Sequence, residues 1–255
     1  MKRVFLLLLS GFFFFSGIFS VWALDAGYEK VLKEADALYQ KSQYDAALSK
    51  YQKLSLMEAT PEVFYNLGNV YFKTKKLGRA IAAYEKAKML APRDSDIRKN
   101  LKFSMSLIQS KITDQRSWFD TELNNLFSYV SFTEGQIAAL ALTAVTLFWM
   151  ILLLIFGRNP FRGWVLKTLL IFVLTAVLAC GLKYYFLWGQ TYGVLVRQDA
   201  EVRYGPSKDE KVVFRLPEGL KVRLLEDREG WERVQLTSKD TGWIPKDDVE
   251  IIKIA

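Results

Sequence analysis

The rhythm of apolar and polar positions changes repeatedly along the chain, and each change predicts a different element. Residues 1–23 run from Lys2 and Arg3 into a Leu- and Phe-rich stretch that closes on Val21-Trp22-Ala23. That order predicts a secretory signal peptide with Ala23 the last residue removed, and the length of the apolar part leaves an uncleaved signal anchor as the alternative. From Tyr28 to about Ile112 apolar residues recur at helical spacing, as at Ile97, Leu101, Met105 and Ile108 with lysines between them. Residues 113–134 form an amphipathic stretch, in which Trp118, Phe119, Leu123, Leu126, Phe127 and Val130 surround Asp120 and Glu122. It predicts a helix on a membrane interface, or one packed on the preceding helices. Ile137 to Phe156 is 20 consecutive residues without a charge, and Trp164 to Trp188 is interrupted only by Lys167 and Lys183. Either arm, at about 1.5 Å per residue, is long enough for a hydrocarbon core of about 30 Å, so residues 135–190 predict a two-helix transmembrane hairpin. From Thr191 to Ala255 the period shortens to two. Tyr192–Val196, Val212–Leu216, Leu220–Leu225, Trp231–Leu236 and Thr241–Ile244 read as short strands, separated by turn signals at Tyr204-Gly205-Pro206, Pro217-Glu218-Gly219 and Glu229-Gly230. Strands this short and this many predict a small closed all-β barrel.

The helical part repeats. Tyr44–Tyr51 aligns with Leu77–Tyr84 at an offset of 33, and the same offset pairs Ala35 with Gly68, Leu38 with Tyr71 and Tyr39 with Phe72. Phe64, Leu67, Gly68, Tyr71, Ala80, Tyr84, Ala87 and Pro92 follow the alternation of large and small residues, closed by Pro, that two antiparallel helices need to approach closely. This resembles the tetratricopeptide (TPR) hairpin. The resemblance implies an all-α solenoid over residues 24–112, two repeats and a capping helix, which is short for a free-standing array and is expected to rest on another surface. In TPR arrays the first helix of each hairpin lines the concave face. That implies a partner-binding cradle of Asp36, Tyr39, Tyr65, Asn69, Phe72, Lys73 and Lys99: aromatics for an apolar side chain, Asn for backbone amides, lysines for a carboxylate.

The blocks Ala200–Ser207, Leu216–Val222, Glu229–Val234 and Thr241–Pro245 resemble, in order and spacing, a bacterial SH3 (SH3b) domain. The resemblance implies an SH3-like barrel over 191–255 with Tyr204, Trp231, Trp243 and Pro245 as the set from which a groove is built, packing in the core being the favoured role of the two tryptophans.

Charge changes the picture little. The net charge of +8 divides into +2 in the leader, 17 − 14 = +3 over residues 24–134, +4 over 135–190 and 12 − 13 = −1 over 191–255. No soluble part carries a strong basic balance, so a nucleic-acid partner is not expected. The chain has no histidine and a single cysteine, Cys180. That excludes a His-dependent base, a Ser-His or Cys-His nucleophile and a His or Cys metal site, and no cofactor is expected. The basic turn Arg158 to Arg162 with Lys167 predicts a cytoplasmic hairpin turn, which places both soluble modules on the extracytoplasmic side of the bacterial inner membrane.

Signal sequence, TPR array, two-span hairpin and terminal SH3b domain, in that order, resemble the BatE-type proteins of bacterial aerotolerance (Bat) operons. The resemblance implies a multidomain membrane protein acting as a non-catalytic scaffold for protein–protein interaction in an envelope stress complex, with von Willebrand A-domain membrane proteins as partners. The alternative is a peptidoglycan-binding or cell-wall-sensing protein.

Overall fold

The computed structural model describes residues 27–108, 191–236 and 240–253, together with scattered positions from 134 to 181. The signal peptide, nearly all of the amphipathic stretch 113–134 and most of 135–190 lie outside the described residues.

Residues 27–40 are helical (α1) and are followed by α2 (Tyr44–Met57), α3 (Pro61–Lys73), α4 (Leu77–Leu90) and α5 (Ser95–Ser106). Local chemistry sets the boundaries. Thr60 caps α3 by accepting from the Val63 N–H, with Pro61 at the first helical position, and Asp94 caps α5 by accepting from the Asp96 and Ile97 N–H groups. Pro92 follows the end of α4. The turns inside the two hairpins repeat each other, since Ser42 and Lys75, 33 residues apart, both adopt left-handed backbone with φ of 59° and 60°. Gly68 is required by close packing: a Cβ there would overlap the ring of Tyr84. Ala35, Ala47, Tyr51, Leu54, Val63, Val70 and Ala87 fill the seam of the array.

The C-terminal strands are β1 (Thr191–Leu195), β2 (Ala200–Arg203), β3 (Val212–Leu216), β4 (Lys221–Arg228), β5 (Trp231–Gln235), β6 (Thr241–Pro245) and β7 (Val249–Ile252), with a 3₁₀ turn at Lys246–Asp248. They form one antiparallel sheet in the order β3-β2-β6-β5-β4-β1-β7. It wraps around Leu195, Ala200, Val202, Leu216, Val222, Val234 and Ile244. Alternation locates five of the strands. It misses β2 and β7, each only four residues long and each carrying a glutamate among its apolar positions.

The two modules pack on each other. Ile81, Ala82 and Tyr84 of α4, with Leu101 of α5, share a buried cluster with Val194 of β1 and Ile252 of β7. Lys86 pairs with Glu250 at 2.7 Å and Lys221 with Glu85 at 3.0 Å, the Lys221 ammonium also lying 5.1 Å from the Tyr192 ring centroid. At the start of α4 the Gly78 N–H donates to the Glu218 carboxylate at 2.7 Å. The surface on which this short array rests is therefore the chain's own barrel.

The membrane part of the sequence reading needs correction. Among the described residues no helix is long and apolar enough to cross a membrane, which is at odds with a two-helix transmembrane hairpin and with a two-span protein of the inner membrane. An unbroken apolar run is a necessary condition for a span and not a sufficient one. The fully bounded helices are only 12 to 14 residues long, about 18 to 21 Å, and each carries polar residues along one face.

A Cβ at Gly78 would overlap the carbonyl oxygen of Leu195 and approach Glu218 Cγ to 2.9 Å. Gly78→Ala is expected to destabilise the joined modules by about 2 kcal/mol, although Ala is by about 1 kcal/mol the better helix former. Calorimetry of the full chain checks this: the shared unfolding transition should split or fall, and an unchanged transition would show that the Gly78 contact does not join the modules.

Candidate functional site

Two of the residues expected in the cradle are structural ties. The Tyr51 hydroxyl on α2 donates to Asp36 on α1, and 33 residues later the Tyr84 hydroxyl on α4 donates to Asn69 Oδ1 on α3 at 2.7 Å. The repeat thus carries its own hydrogen bond, with Asp and Asn as interchangeable acceptors. Asn100 on α5, which the sequence reading did not select, donates to Asn69 Oδ1 and to the Tyr65 hydroxyl, both at 3.1 Å. Asn69 is therefore held by α4 and α5 together, and its oxygen is already occupied twice.

Of the remaining cradle residues, Lys73 and Lys99 are exposed and Tyr39, Tyr65 and Phe72 are partly buried. Tyr39 packs edge-on against Tyr44 with centroids 5.6 Å apart, Tyr65 lies tilted against Tyr84 at 6.0 Å, and Phe72 lies tilted against Phe103 at 5.8 Å. Phe103 was also missed by the sequence reading and is 57 % exposed. Its signal was present, since it stands one helical turn after Lys99 on the same face of α5. Lys73 is exposed at the end of α3, and Lys99 makes a solvent-exposed pair with Asp96 at 3.3 Å. The most exposed ring of this set is Phe103, held against Phe72, with Lys73 and Lys99 exposed on the same two helices.

Burial raises the Tyr84 phenol above its ordinary value, and Tyr65 adds to the effect, while the Asn100 side chain opposes it. Burial also raises Tyr51, reinforced by its bond to the Asp36 carboxylate and by that charge. Both hydroxyls are thus held as neutral donors.

In the barrel, Tyr204 follows β2 directly, Trp243 and Pro245 belong to β6, and Trp231 opens β5. Register places Trp231 opposite Pro245, and Trp243 between Arg203 and Arg233. Tyr204 is 66 % exposed and Trp231 and Pro245 are half-buried, whereas Trp243 is only 8 % exposed and serves the core. Beside Trp231 the buried Glu232 is pushed above the usual carboxylate range by burial and by the charge of Asp227, with Lys246 opposing at 3.9 Å. These residues stand on β6 and β5 and directly after β2, on the far side of β4 from the strands that meet α4.

Comparison with known families agrees with this geometry. Residues 61–94 match the tetratricopeptide repeat, residues 35–75 match a TPR repeat, and residues 199–250 match the bacterial SH3 domain. No curated protein matches the chain. The chain therefore contains TPR repeats and a C-terminal bacterial SH3 domain.

Asn69→Ala leaves the Tyr84 hydroxyl and the Asn100 amide without their shared acceptor, and is expected to lower stability by about 1 to 3 kcal/mol. Urea unfolding checks this, and an unchanged midpoint would return Asn69 to the role of a free groove residue. The two raised phenols make a second prediction. Below a pH of about 10 both states keep Tyr51 and Tyr84 neutral. Above it the unfolded chain ionises while the native state retains its protons, so stability falls as pH rises, by up to about 1.4 kcal/mol per pH unit for each tyrosine. Unfolding midpoints between about pH 8 and 11 should show this fall, and Tyr51→Phe with Tyr84→Phe should lessen it, leaving the smaller part due to Tyr28 and Tyr39.

Proposed function

We propose that the chain is a non-catalytic interaction protein whose TPR array and bacterial SH3 domain form one body with two separate recognition faces. The observation that carries this reading is where the modules meet. The barrel takes the second helix of the second hairpin, α4, through β1, β7 and the turn at Pro217-Glu218-Gly219. The faces used for recognition in these module types, the first-helix face of the array and the aromatic side of the barrel, are formed by other elements than those of this contact.

The order of the modules supports a more specific reading, in which the protein works beside von Willebrand A-domain proteins in an aerotolerance (Bat)-type stress complex. A second reading is favoured by the bacterial SH3 match together with the exposed Tyr204: the barrel holds a peptide of peptidoglycan.

Co-expression of the tagged full chain with the von Willebrand A-domain proteins of neighbouring genes tests the first reading. They are expected to co-elute, with at least about a tenfold loss for Tyr65→Ala combined with Phe72→Ala, a loss of about 1.4 kcal/mol or more. Absence of co-elution would overturn it. Sedimentation of the full chain with purified peptidoglycan tests the second reading, which requires pelleting that Tyr204→Ala abolishes.

A further inference from the structure

The charge of the helical module is unevenly placed. Residues 27–60 carry five cations and five carboxylates, whereas residues 61–108 carry ten cations and four carboxylates, a balance of 10 − 4 = +6. Among the ten, Lys86 pairs with Glu250, Arg93 with Glu134 and Lys99 with Asp96. Lys73, Lys75, Lys76, Arg79 and Lys102 are exposed and have no carboxylate partner among the described residues.

These five gather at one end of the array. Lys73, Lys75 and Lys76 lie at the end of α3 and in the α3–α4 turn, and Arg79 is in the first turn of α4. Lys102 belongs to the half of α5 that packs back on the start of α4 through Leu101, Ile108 and Ile81. Phe72 and Phe103 adjoin them in sequence and touch each other, and Phe103 remains mostly in water. An exposed phenyl ring among like charges gains nothing by itself: the ring stays hydrated and the cations repel one another. A ligand that covers the ring with an apolar side chain and brings carboxylates to the cations relieves both.

We propose that this end of the array is a docking site for an acidic peptide of a partner protein. An apolar anchor side chain lies on the Phe72–Phe103 pair, and flanking Asp or Glu carboxylates meet Lys73, Lys76 and Lys102. The proposal rests on the interaction reading above and specifies the chemistry of the segment recognised. Charge complementarity selects the occupant, because the first repeat has the same helical scaffold but a balanced charge and offers no equivalent cluster.

The test is fluorescence anisotropy on the full chain with a labelled peptide in which Glu and Leu alternate, and with a control peptide in which Gln replaces Glu. The acidic peptide is expected to bind at least tenfold more tightly than the control and to weaken as salt is raised. Lys73→Glu with Lys102→Glu should reduce its affinity at least tenfold, and Phe103→Ala should reduce it several-fold. Circular dichroism melts establish that these surface variants fold. Equal binding of both peptides, or no effect of the charge reversals, would overturn the proposal. The chain's own segment 118–130 is also acidic and apolar, so Asp120→Lys with Glu122→Lys is the discriminating variant. Unchanged affinity in that variant supports an external partner, and a rise of tenfold or more would overturn it in favour of an internal occupant. Probe failure with intact co-elution of the von Willebrand A-domain proteins would sink this site alone, whereas probe binding without co-elution would sink the choice of partner and leave the site standing.

Discussion

The start of α4 is the constraint on which the rest of the molecule depends. A helix leaves its first N–H groups without intrahelical partners and carries partial positive charge there. In the first repeat the α2 helix has an acidic residue in its opening turn, Asp45. The equivalent position 33 residues later is Gly78, its N-cap neighbour is Lys76, and the first turn of α4 contains no acid and no side-chain cap. The missing anion is supplied by the barrel, where the Glu218 carboxylate accepts from the Gly78 N–H. An interaction of this kind contributes about 0.5 to 2 kcal/mol. It also fixes geometry, because only a residue without a side chain lets the Leu195 carbonyl come so close.

Other features follow from that contact. Gly219, at φ +90°, turns the chain directly after Glu218 and brings the turn against Ile81 and Ile108. The ion pairs Lys86–Glu250 and Lys221–Glu85 then close over the apolar cluster of Ile81, Val194 and Ile252. Two hairpins and a capping helix make a short array, and the barrel buries the outer face of its last hairpin much as a further repeat would. Because the barrel engages chiefly α4, it leaves the first-helix face of α1 and α3 uncovered among the described residues. Because it uses β1 and β7, exposed Tyr204 after β2 and half-buried Trp231 of β5 lie outside the contact.

Much of this could be read from residue patterns. The offset of 33 located both hairpins because close helix packing demands small residues at fixed places, and Gly68 against Tyr84 is that demand made visible. Alternation located the longer strands, since one face of each meets the barrel core. Where the reading went astray, long-range partners decide. Asp36 and Asn69 have the polarity of ligand contacts, yet their acceptors are taken by Tyr51, Tyr84 and Asn100 from neighbouring helices. Glu218 reads as an ordinary turn residue, because its partner lies 140 positions away in sequence. The transmembrane expectation rested on hydropathy alone, whereas the helices of the array are defined by what each face touches.

The central claim is that the TPR array and the bacterial SH3 domain form one rigid body through α4. Electron-spin distance measurement tests it most directly, with labels at Lys53→Cys on α2 and Asp209→Cys in the β2–β3 loop of a chain carrying Cys180→Ser. A single narrow distance distribution that broadens on Gly78→Ala is predicted. A broad distribution in the chain that retains Gly78 would contradict the account.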